Sequence, residues 1–131
     1  MENIVTARAK TGVTPYRTNL TTGTHTFIAD EPENAGGTDL GPAPSQLLCA
    51  ALASCIGITL RMYVNRKEWN TGEITVDVTL DRSGETPDFA IRLSYENELE
   101  EDQLKRLKVI AGKCPVHKLL HSANHFSYPE D

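Results

Sequence analysis

Hydrophobic and polar positions alternate most strictly from Ile74 to Leu80, where Ile74, Val76, Val78 and Leu80 are separated by Thr75, Asp77 and Thr79. A period of two marks a strand with one face in a core. Phe89, Ile91, Leu93 and Tyr95 repeat it, and Arg82-Ser83-Gly84-Glu85 between them is turn chemistry, so the two stretches are predicted to pair as a hairpin. Leu47 to Leu60 breaks with alternation and is apolar on nearly all sides, behind a proline, Pro44, suited to a first helical turn. That pattern predicts a long helix enclosed by protein, with its later turns, Arg61 to Lys67, emerging into water and Trp69, Asn70 and Gly72 ending it. The apolar run is shorter than the about 20 residues a bilayer needs, which makes a core helix the expectation.

Upstream, residues 3 to 10 mix β-branched and polar side chains, and Thr14 to Leu20 and Thr24 to Ala29 flank Thr21-Thr22-Gly23, so the chain is predicted to open with antiparallel strands. Asp30 to Pro44 holds three prolines and three glycines and reads as an ordered loop. Downstream, Leu104, Leu107, Val109, Ile110 and Ala111 mark an amphipathic helix, acidic at its start and basic further on as the helix dipole favours, with Gly112 at its end. Pro115 opens a short helix to about Leu120, and Phe126 to Tyr128 are predicted to return as a last strand. The fold class is α+β, and 131 residues fit a single domain, 1–131, able to bury roughly two thirds of its unfolded surface.

Composition removes several function classes. With 39% hydrophobic and 24% charged residues the chain is too apolar for disorder and too polar for a membrane protein. A net charge of −5, with the only dense basic stretches, Arg61 to Lys67 and Lys105 to Lys108, interleaved with apolar residues, argues against a nucleic-acid partner. Met1 to Val5 lacks the charged and apolar segments of a secretory signal, so a cytoplasmic location with reduced thiols is expected.

Those thiols carry the candidate chemistry. Cys55 lies within the apolar helix, where a packed structural role is the bland reading. Cys114 opens Cys114-Pro115-Val116-His117, with Lys113 before it, a setting that favours a thiolate. Cys49, about 600° of helical rotation before Cys55, falls on another side and reads as core. Cys114, His117 and His121 have a spacing able to present three ligands to zinc, but no fourth is evident beyond His125 or Cys55, and no metal or other cofactor is expected. His25 reads as a strand residue facing solvent or an interface, and Tyr63 and Met62 as core or subunit packing.

Gly41-Pro42-Ala43-Pro44-Ser45-Gln46-Leu47-Leu48, then Ala50 to Cys55, and much later Lys113-Cys114-Pro115-Val116-His117 together resemble the OsmC/Ohr family, the osmotically inducible and organic hydroperoxide resistance proteins. The likeness extends to Ala29-Asp30-Glu31-Pro32 and to Thr59-Leu60-Arg61-Met62-Tyr63. It implies an intertwined α+β homodimer whose antiparallel sheets wrap long central helices. It also implies thiol-dependent reduction of organic hydroperoxides, with Cys55 matching the peroxidatic cysteine, Cys114 the resolving one, and an external dithiol as reductant. Family members with this activity use an arginine from the N-terminal strands, held by a glutamate ten positions before the first cysteine. Here that position is Ser45, beside the neutral Gln46, and Arg17 is the candidate arginine, with Arg8, His25 and Arg61 as other cations. Ser45, Gln46, His25 and His117 are accordingly the candidate substrate contacts. The lost glutamate keeps a second class open, a non-catalytic dimer binding a small hydrophobic or thiol-bearing ligand in the same pocket.

Overall fold

The computed structural model describes residues 3–130, and its contacts divide the chain into two compact units, Met1–Leu48 and Cys49–Asp131. In the first, β1 (Arg8–Thr11), β2 (Thr18–Thr22) and β3 (His25–Ala29) form an antiparallel sheet in sequence order. Thr22 faces His25 across a tight turn in which Gly23 adopts a φ of 60°, the left-handed conformation that glycine reaches without a Cβ penalty.

The loop after β3 is built around a carboxylate. Asp30 is buried, and its two oxygens accept from the backbone N–H groups of Tyr16, Glu31 and Leu40 and from the Thr38 hydroxyl. The path is tight: a Cβ on Gly41 would overlap the Ile28 carbonyl, and one on Gly37 the Glu31 carbonyl. Desolvation pushes the Asp30 pKa up, but the four donors outweigh it and bring it from 3.8 to about 2. A depressed carboxylate stabilises the folded unit above its unfolded pKa, and that contribution is lost as pH falls from about 4 through about 2. NMR titration should therefore show the Glu31 and Leu40 amides moving together with a midpoint near 2. A midpoint near 3.8 would mean that the donors do not hold the ionised form.

The second unit is organised by α1 (Pro44–Lys67). Leu52, Ile56, Leu60 and Val64 form a buried ridge with four-residue spacing. Against it pack Leu107, Ile110 and Ala111 of α2 (Glu101–Ala111) and Cys114. The apolar faces of β4 (Ile74–Asp81) and β5 (Asp88–Tyr95) close the cluster. These strands pair as the alternation required, Val76 opposite Leu93, Val78 opposite Ile91 and Leu80 opposite Phe89. α2 opens on a reciprocal capping box between Glu100 and Gln103. α3 (Pro115–His121) follows almost at once.

α1 closes in a Schellman arrangement: Trp69 N–H donates to the Val64 carbonyl and Glu68 N–H to that of Asn65. Glu68 holds the left-handed position, φ 57°, where glycine is the usual residue. Glu68→Gly should raise unfolding free energy by about 0.5–1 kcal/mol, visible as a higher urea midpoint. An unchanged or lower midpoint would show that Glu68 makes compensating contacts.

Three expectations are corrected. α1 is not enclosed by its own chain: Ile58 and Met62, roughly 200° around the helix from the ridge, are 57% and 60% exposed. It is also longer than its apolar run, 24 residues or about 36 Å, with a mean hydropathy of 1.8 over its most apolar window, so by length and composition alone it could cross a bilayer. The ridge buried in the unit's own core marks it as a core helix. Phe126 to Tyr128 form no strand, because nothing among the described residues pairs with their backbone, and both aromatics lie exposed.

Candidate functional site

The second unit brings Cys55 and Cys114 together. Cys55 faces inward from α1, half-buried and packed against the core, one position from the fully buried Ile56. Cys114 is fully buried at the start of α3, where Pro115 supplies the first turn. Its sulfur caps that helix, accepting from the His117 N–H at 3.4 Å. The Cys55 thiol lies close enough to act on its ionisation as a hydrogen-bonding neighbour and as a charge. Burial first, and the Cys55 thiol second, push the Cys114 pKa up against the lowering effect of the α3 amides. Cys114 is therefore a neutral thiol near neutral pH, contrary to the thiolate expected from Lys113 and the helix start. The reason is geometric: Lys113 points to solvent while Cys114 is in the core. Neither cysteine is in a disulfide.

A cleft of about 500 Å³ opens in the same unit, and neither cysteine lines it. Leu52 of α1, Phe89 and Ile91 of β5 and Leu120 of α3 give it apolar walls, and Thr86, Pro87, His117 and His121 complete the lining. Leu52 is three residues before Cys55 and His117 three after Cys114, so the cleft lies one helical turn from each thiol. Phe89 and Ile91 were legible as inward-facing residues of a strand, whereas Thr86 and Pro87 sit in a turn whose sequence gave no sign of a role.

Other candidates divide by unit. Arg17, just before β2, and His25, at the start of β3, are exposed in the N-terminal unit, as is Arg8. Ser45 lies half-buried in the first turn of α1, and the neighbouring Gln46 uses its side-chain oxygen to accept the Ala43 N–H at 2.8 Å, a helix-start role. Arg61 is engaged elsewhere: its guanidinium donates to the Gly72 carbonyl at 2.6 Å, which also accepts the Thr71 hydroxyl. Tyr63 accepts a bond from Arg106 Nε at 3.0 Å, which with nearby cations lowers its pKa, and packs edge-on against Trp69. Cys49 is half-buried and takes no part in the pair.

Solved structures share this architecture. A candidate osmotic stress induced and detoxification response protein from Psychrobacter arcticus is 22% identical, with a TM-score of 0.75 over 91% of this chain and 90% of that one. An OsmC-like protein from Mycoplasma pneumoniae is 17% identical, TM-score 0.72, over 92% and 89%. The organic hydroperoxide resistance protein OhrB of Bacillus subtilis is 25% identical, TM-score 0.58, over 88% and 89%. No curated protein sequence matches the chain. The family model described as OsmC-like protein matches residues 36–128, a span that takes in the loop glycines, both cysteines of the pair and the cleft, and the chain therefore belongs to the OsmC-like protein family.

Proposed function

We propose that the chain is a thiol-dependent peroxidase that reduces organic hydroperoxides, acting as one OsmC-like domain in a cytoplasmic homodimer. The observation that carries this is the pairing of two free thiols in unequal settings, Cys55 half-buried and Cys114 buried and held neutral, with an apolar cleft lined by the neighbouring turns of their helices. In the proposed cycle the Cys55 thiolate attacks the distal peroxide oxygen, the O–O bond breaks, and the alcohol leaves with a proton. The resulting Cys55 sulfenic acid condenses with the Cys114 thiol to give a disulfide and water, and an external dithiol returns both sulfurs to thiols as it becomes a disulfide itself. The apolar walls suit a peroxide with a hydrocarbon substituent better than hydrogen peroxide. Membership of the family and the likeness to an organic hydroperoxide resistance protein support the same reading.

Arg17 is proposed as a catalytic residue in addition to the two cysteines, with Ser45, Gln46, His25 and His117 as substrate contacts. The homodimer is supported by the uncovered side of α1, where Ile58 and Met62 expose apolar surface. A monomer in sedimentation at micromolar concentration would remove it. The peroxidase is tested with one equivalent of an alkyl hydroperoxide added to reduced protein. Intact mass and peptide mapping should show a Cys55–Cys114 disulfide with Cys49 free. Full retention of thiol titre would exclude the cycle and leave ligand binding in the cleft as the function of the site.

A further inference from the structure

The lining of the cleft includes two imidazoles from one helix. His117 and His121 are four residues apart on α3, the spacing that places side chains on one helical face, and their ring centroids are 6.2 Å apart. Among the described residues neither ring has a hydrogen-bond partner, since the contact from His117 to Cys114 uses the backbone N–H. The third ligand that the sequence spacing offered is withdrawn: Cys114 is buried, caps α3 and lies against Cys55. No group of three or more metal-ligating side chains forms among the described residues. What remains is an open, two-nitrogen site.

We propose that His117 and His121 bind a divalent transition-metal ion such as Zn²⁺ at the cleft, with water completing its coordination. Imidazoles with this spacing on a helix chelate such ions, and imidazole is a ligand that zinc and nickel accept readily. Metal–nitrogen bonds of about 2.1 Å at a tetrahedral angle would bring the ring centres to about 5 Å, a closure that side chains at the surface of a helix reach by χ rotation. A bound ion would narrow the cleft one helical turn from both thiols. Its effect on turnover rests on the peroxidase reading, but the ion site does not.

The test is calorimetric titration of Zn²⁺ into reduced, chelator-free protein without peroxide, for the unaltered chain, His121→Ala and Cys55→Ser. His121 is exposed, and circular dichroism of that variant confirms its fold. The expected result is a saturable site at one ion per chain that His121→Ala weakens about tenfold or more and Cys55→Ser leaves unchanged. Affinity that survives His121→Ala, equal weakening in the two variants, or no saturable binding would each overturn the assignment. None of these outcomes bears on the disulfide formed with peroxide, so the two proposals fail separately.

Discussion

Cys55→Ser should abolish hydroperoxide turnover with a dithiol reductant, a loss of about a hundredfold or more, because the hydroxyl that replaces the thiol is far less nucleophilic near neutral pH. Cys114→Ser should fail differently. Cys55 still reacts with one equivalent of peroxide in that variant, but the sulfenic acid has no partner thiol and accumulates, where dimedone can trap it. The asymmetry follows from the two environments: Cys114 is buried and neutral, and so poorly placed to meet an incoming oxidant, yet it lies against the sulfur it would capture. Equal turnover in all three proteins would refute the assignment of both cysteines. Sulfenic acid trapped on Cys114 instead of Cys55 would reverse their order.

How much of this was legible in the sequence depended on whether the signal was local. Alternation at Ile74 to Leu80 and Phe89 to Tyr95 fixed both strands and their pairing, because a period of two admits only one way to bury the apolar face. The start of α1 at Pro44 and of α3 at Pro115 was equally plain. Hydrophobicity on all sides of α1, by contrast, said that every face would be covered without saying by what, and among the described residues the Leu52–Val64 ridge is fully buried while Ile58 and Met62 stay exposed. Asp30 escaped notice as an organising residue because its four donors come from positions 16, 31, 38 and 40, a convergence that no spacing rule encodes. The thiolate expected at Cys114 failed for a related reason. Neighbours in sequence argued for ionisation, while burial, a property of the whole fold, decided the direction.

The second large effect concerns the core that holds the two thiols together. Leu107 is fully buried and belongs to the cluster that joins α2 to the α1 ridge and to Cys114. Leu107→Ala should lower the unfolding free energy by about 2–5 kcal/mol, from lost burial plus the cavity that close-packed neighbours cannot fill, and chemical denaturation measures it directly. Met62→Ala, on the uncovered side of α1, provides the contrast. In an isolated chain it should cost less than about 0.5 kcal/mol, as surface substitutions do. In the proposed homodimer the same substitution removes an interface contact, so its cost should be larger and the stability of the unaltered protein should rise with protein concentration. Leu107→Ala should also slow formation of the Cys55–Cys114 disulfide, since Cys114 depends on that packing for its position. A Leu107→Ala protein that unfolds early but forms the disulfide at the normal rate would show that the thiols are held by the Pro115 helix start alone.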